Sequence, residues 1–166
     1  MPKLLFTSIG RRVQLIRHFK ANGWSVIGTD ANPAECAAQQ VVEKIYKVPL
    51  YNDPMYIDNL LEICDKEKID CLIPLYEPEL LLLCKKQYSF NQLGTKLLIS
   101  GIESLKICLD KLNLFEFLSR NGILTPDTHI TPTCLDASTK WIIKPRNGMG
   151  SKDIYIVNRQ DIENYF

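Results

Sequence analysis

Short, uniformly apolar runs alternate along this chain with longer stretches in which apolar residues return every three or four positions. Lys3 to Ile9 is the first such run, and Gly10 ends it. From about Arg11 to Ala21, Val13, Leu15, Ile16 and Phe19 share one side of a helix that Asn22-Gly23 stops. Trp24 to Thr29 reads as a second strand closed by Asp30, Ala31 to Gln40 as mostly loop, and Lys44 to Val48 as a third strand ended by Pro49. Asp53 and Pro54 suit the cap and first position of a helix to about Lys68, with Ile57, Leu60, Leu61 and Cys64 inward. Asp70 to Leu75 and Leu97 to Ser100 read as two further strands, with Glu79 to Tyr88 helical between them. Short apolar strands separated by helices belong to a parallel sheet covered on both faces, with right-handed crossovers. The expected fold class is α/β, a doubly wound parallel sheet.

The pattern changes near Gly101 to Leu109. Ile102 to Cys108 is a short helix, and Asp110-Lys111 begins another that runs to Arg120 and ends at Asn121-Gly122. Asp127 to Thr139 is polar and reads as strand plus loop. Trp141 to Pro145 and Asp153 to Val157 read as antiparallel strands, and Asp161 to Phe166 as the first turns of a helix. Two domains are expected, 1–105 and 106–166, the second incomplete. No internal repeat or low-complexity segment interrupts them.

Composition narrows the setting. Apolar residues make up 46% of the 166, charged residues 23%, and the net charge is +1. A core can form, and the near-neutral balance gives no footprint of a general nucleic-acid binder. No apolar run reaches membrane-spanning length and no signal-peptide pattern opens the chain, so a cytoplasmic protein without membrane contacts is expected. Cys36, Cys64, Cys71, Cys84, Cys108 and Cys134 form no C-x-x-C pair and sit near no suitably spaced histidine. They read as reduced, largely buried thiols.

The strongest candidate chemistry lies between the last two strands. An apolar strand, Trp141-Ile142-Ile143, ends in Lys144-Pro145; Arg146-Asn147-Gly148-Met149-Gly150-Ser151-Lys152 follows, and then a second apolar strand. Strand residues alternate faces, so Ile143 and Lys144 point oppositely. Glycines let backbone N–H groups approach phosphate oxygens closely, and the basic side chains supply charge. The other reading is an ordinary hairpin with solvated charges, although the connection is long for one.

The first domain offers further candidates at the carboxyl edge of its sheet, where open α/β sheets bind ligands. Gly10-Arg11-Arg12 precedes a helix start suited to anions, and Asp30 closes strand two where a dinucleotide fold places an acid on ribose. Only Gly10 of a G-x-G-x-x-G fingerprint is present, which argues against a NAD-linked oxidoreductase. Glu77 and Glu79 follow strand four. Either carboxylate could meet an amine substrate or simply begin a helix, with Pro78 in its first turn. His18 and His129 are isolated and suit surface or interface positions.

Lys144-Pro145-Arg146-Asn147-Gly148-Met149-Gly150-Ser151, preceded by Asp110-Lys111 and by Gly122-Ile123-Leu124-Thr125-Pro126, resembles the ATP-grasp superfamily, in particular its carbamoyl-phosphate-synthase-large-subunit-like branch. Ser8-Ile9-Gly10-Arg11-Arg12, Gly28-Thr29-Asp30 and Leu72-Ile73-Pro74 resemble the pre-ATP-grasp domain of such proteins. The resemblance implies a Rossmann-like pre-ATP-grasp domain followed by part of an ATP-grasp small lobe. It implies that Lys111 and Lys144 reach nucleotide phosphate, and that Gly148, Met149, Gly150 and Ser151 cover it. Arg146 and Lys152 are either phosphate neighbours or solvated charges. Arg11 or Arg12 would face the substrate, or cap the helix and pair with acids.

The activity implied is an ATP-dependent carboxylate–amine ligase working through an acylphosphate, with ATP and Mg2+ as cofactors. The acidic ribose-holding residue and the magnesium ligands of that family match no position here, so the chain is expected to be the front portion of a ligase, or half of a split one. Its partners would be small-molecule carboxylate and amine substrates and either a second copy or a complementary chain. A non-catalytic nucleotide-binding or interaction module is the alternative.

Overall fold

The computed structural model describes residues 1–132 and 140–165. It divides into two compact units, Met1–Ile102 and Glu103–Phe166. In the first, strands β1 (Lys3–Phe6), β2 (Ser25–Asp30), β3 (Lys44–Lys47), β4 (Cys71–Ile73) and β5 (Lys96–Leu97) form one sheet in the order β3-β2-β1-β4-β5. Every neighbouring pair is parallel. Helices α1 (Val13–Ala21), α2 (Tyr56–Glu67), α3 (Leu80–Lys85) and α4 (Gln87–Gln92) lie between the strands in sequence. This is the doubly wound α/β sheet that the apolar pattern predicts.

Register explains why both faces had to be apolar. Ile27, Leu5, Leu72 and Leu97 are successive partners across the sheet and form one row. They pack with Ile57, Leu60, Leu83 and Phe90 from α2, α3 and α4. Val26, Leu4 and Cys71 form the adjacent row on the opposite face, with Ile9, Ile16 and Ala38. A slip of one residue in any strand would exchange these two sets of side chains between faces.

Several boundaries differ from the sequence reading. The helix expected over Glu79 to Tyr88 is a 3-10 turn, Glu77–Glu79, then α3 and α4. Lys86 (φ −104°, ψ 7°) breaks it, and the break lets Leu83 and Phe90 both reach full burial. The residues before β3 hold two 3-10 turns, Pro33–Glu35 and Ala37–Gln40, rather than mostly loop. Asp53 does not cap a regular helix at Pro54. Its Oδ1 accepts from the Met55 amide at 2.8 Å and its carbonyl from the Tyr56 amide, forming a turn from which α2 starts at Tyr56. The fifth strand, expected over Leu97 to Ser100, is Lys96–Leu97 and keeps only Leu97 of that range, although the Leu98 amide still bonds to the Leu72 carbonyl at 2.9 Å.

The second unit contains α5 (Ile102–Cys108), α6 (Lys111–Arg120), and an antiparallel pair, β6 (Lys140–Ile143) with β7 (Tyr155–Asn158). Residues 123–132 contain no strand, contrary to the strand expected from Asp127; its remainder, 133–139 with Cys134, lies outside the described residues. The final helix is a 3-10 helix, Arg159–Tyr165, anchored by buried Ile162. No described helix is long and apolar enough to cross a membrane.

Candidate functional site

In the second unit, β6 carries the alternation that its sequence requires. Lys140, Ile142 and Lys144 are exposed while Trp141, Ile143 and Pro145 are partly covered. Lys144 therefore leaves the strand on the side opposite Ile143. A cavity of about 210 Å³ follows, lined by Lys111, Lys144, Pro145, Gly148, Met149, Gly150, Ser151, Lys152 and Ile154. A larger one of about 1090 Å³ runs alongside β6, past His129, Trp141, Ile143 and Tyr155.

Residues 148–152 of the loop line this space. Gly150 (φ 69°) and Ser151 (φ 56°) are both in the left-handed region, which suits glycine and strains serine. Among the described residues, the amides of Asn147, Gly148, Met149, Gly150 and Ser151 donate to no backbone carbonyl. A run of such amides beside lysine ammoniums is an anion-binding arrangement.

Lys111 is the first residue of α6. Its ammonium donates to the carbonyls of Arg146 (3.3 Å) and Gly148 (3.0 Å), and its amide to the Arg146 carbonyl at 3.2 Å. Asp110 caps the helix: its Oδ1 accepts from the amides of Leu112 and Asn113, each at 3.0 Å. Its Oδ2 accepts from Nε of Arg146 at 2.7 Å. Desolvation pushes the Asp110 carboxyl up, but the Asn113 amide and the Arg146 guanidinium outweigh it and hold the group below the usual carboxylate range. Neither Lys144 nor Lys152 has a hydrogen-bond or ion-pair partner among the described residues. The pairing of Asp110 with Arg146 is not readable from the sequence, because the two lie far apart in it.

In the first unit, Ser8 (φ 49°) and Gly10 (φ 42°) turn the chain sharply out of β1. Arg11 and Arg12 are exposed just before α1. Asp30 spans two turns, with Oδ2 accepting from the Gly10 amide at 3.2 Å and Oδ1 from the Asn32 amide at 3.0 Å. Glu77 is exposed. Glu79 ends the 3-10 turn that leads into α3, as the helix-start reading has it, and it is fully buried. Thr7 Oγ1 donates to its Oε1 at 2.5 Å, the Tyr76 amide to the same oxygen at 3.2 Å, and the Tyr56 hydroxyl to its Oε2. Burial raises its carboxyl above the ordinary range, against these hydrogen bonds. Sequence alone could not find this network, since its members come from β1, α2 and the turn after β4.

Among the described residues five cysteines are free thiols: Cys36, Cys64 and Cys71 are buried, Cys84 is partly covered and Cys108 is exposed. Among the described residues no group of three His, Cys, Asp or Glu side chains could hold a metal ion. His18 is exposed on α1, and the His129 ring meets that of Trp141 edge-on at 5.9 Å.

Comparison with protein families matches residues 4–98 to the PylC-like N-terminal domain and residues 108–166 to an ATP-grasp domain. Among solved structures, an L-amino acid ligase from Bacillus licheniformis is similar at 21% identity and a TM-score of 0.69, over 99% of this chain and 41% of that one. N5-carboxyaminoimidazole ribonucleotide synthetase from Thermotoga maritima matches at 23% identity and a TM-score of 0.70, over 100% and 44%. The biotin carboxylase domain of the Hydrogenobacter thermophilus 2-oxoglutarate carboxylase, in complex with MgADP, ADP and bicarbonate, matches at 16% and 0.68, over 99% and 40%. The chain thus spans about two fifths of the length of these structures. A comparison with curated proteins gives no match.

Proposed function

The chain belongs to the family of PylC-like N-terminal domains, and from that premise, with the ATP-grasp domain that follows, we propose that it forms the front part of an ATP-dependent carboxylate–amine ligase. The observation that carries this reading is the cavity in which Lys111, Lys144 and the open amides of the glycine loop come together. Polyphosphate needs several donors at close range and compensating positive charge, and the lining offers both. Lys111 and Lys144 bind phosphate oxygens. Gly148, Met149, Gly150 and Ser151 cover them with backbone N–H groups. Arg146 stands at the root of the same loop.

When bound, ATP supplies a phosphoryl group that makes the substrate carboxylate an acylphosphate, which an amine then attacks with loss of phosphate. This chain's residues hold the phosphates and shield them from water. Arg11, Arg12 and Glu77 are assigned to the carboxylate and amine substrates. Magnesium, when bound, would neutralise charge on the phosphates during transfer. We place its ligands outside this chain; among the described residues no group of three His, Cys, Asp or Glu side chains could hold it.

Calorimetric titration of the protein with ATP and with ADP tests the reading. Saturable binding of either nucleotide, competed by inorganic triphosphate, is expected. No binding at millimolar nucleotide would overturn it.

A further inference from the structure

We propose that Arg146 is a positioning residue. Through Asp110 it pins the root of the glycine loop to the first turn of α6, and it does not itself bind the phosphates. This rests on the nucleotide-binding reading of the loop given above.

Arg146 is held from two directions by one helical turn. Its Nε donates to Asp110 at 2.7 Å and its Nη2 to Asn113 Oδ1 at 3.2 Å. Its carbonyl accepts from both the amide and the ammonium of Lys111. Side chain and backbone are thus tied to Asp110, Lys111 and Asn113. Asp110 is in turn fixed by capping two amides with its other oxygen, so the carboxylate is already oriented when the guanidinium arrives.

Charge points the same way. The Arg146 charge is matched by Asp110, so the pair projects little net field into the cavity. Lys144 and Lys152 line that cavity without partners among the described residues and are the charges available to an anion. The Lys111 ammonium rests on neutral carbonyls and can exchange them for phosphate oxygens without stranding an acid. Drawing Arg146 onto phosphate would instead leave the Asp110 carboxylate without its countercharge. Amide donors bind well only if their spacing is set before the ligand comes, and a pinned root sets it.

The test uses R146M, R146K, D110N and the D110N/R146M double variant. Asparagine keeps the capping oxygen of Asp110 but loses its charge. Two quantities are read: hydrogen exchange of the 147–153 amides without ligand, and ADP affinity. R146M and D110N are each expected to speed loop exchange and to weaken ADP binding roughly two- to fivefold, the scale of one partly exposed ion pair. The double variant should bind no worse than the weaker single, and R146K should recover part of the loss. Loop exchange unchanged in R146M overturns the proposal, as does a loss from R146M that is undiminished in the D110N background, which would make Arg146 a direct ligand. If the unaltered protein binds no ADP, the nucleotide reading falls, and the exchange data alone still decide whether the pin exists.

Discussion

Ile9 lies directly over the bare backbone of Gly28: a Cβ at Gly28 would stand 2.6 Å from Ile9 Cδ1 and 3.0 Å from its Cγ2. Ile9 is fully buried and β-branched, so it has little room to turn aside. Gly28→Ala is expected to destabilise the first unit by about 1–3 kcal/mol, as overpacking does in filled cores. The midpoint of urea unfolding measures this. An unchanged midpoint would mean that Ile9 repacks freely.

Lys144→Ala and Lys111→Ala should each weaken ATP binding severalfold while leaving the unfolding midpoint nearly unchanged, since both act at the loop rather than in a core. Titration of each variant beside its thermal melt checks this. Undiminished affinity in both would remove the two lysines from the phosphate site.

Glu79 makes stability depend on pH in a definite direction. Its folded carboxyl is raised by burial, so the folded chain holds that proton more tightly than the unfolded chain. The stabilisation is fully present below the unfolded value, near 4.3, and is lost as pH rises through the folded one. Glu79→Gln removes this dependence, so the stability difference between the unaltered protein and E79Q should shift toward the variant on going from about pH 4 to about pH 8. Parallel stability curves would show that the carboxylate ionises in place without penalty.

Thiol labelling followed by peptide mapping should mark Cys108 first among the five cysteines of the described residues. Burial raises the Cys36 thiol to about 11 and the Cys64 thiol to about 12, leaving almost no thiolate at neutral pH. Rapid labelling of Cys64 in the folded protein would mean that the core around it opens readily.

The sheet was legible because each strand's apolar run also fixes its two packed faces; Leu4 and Leu5 point opposite ways and both needed a covered side. The glycine loop was legible for a local reason, since Lys144 and the loop that follows are contiguous. What escaped depends on contacts between distant segments. The Glu79 network joins three elements, and Arg146 meets an acid at the start of another helix. The break at Lys86 is a packing outcome that overrides a continuous helical pattern, and Lys85-Lys86 carries no breaker chemistry to announce it.

Both outer strands of the five-stranded sheet carry lysines, Lys44 and Lys47 on β3 and Lys96 on β5. Charged side chains there discourage another sheet from docking alongside, so this half of the molecule resists edge-to-edge aggregation. On the β6–β7 ribbon a lysine, Lys140, stands only at the start of β6. The ribbon's cross-strand partners Ile142 and Ile156 are 62% and 71% exposed. Self-association at high protein concentration will begin at that ribbon, and a lysine placed at either isoleucine should raise the concentration at which the protein stays dispersed.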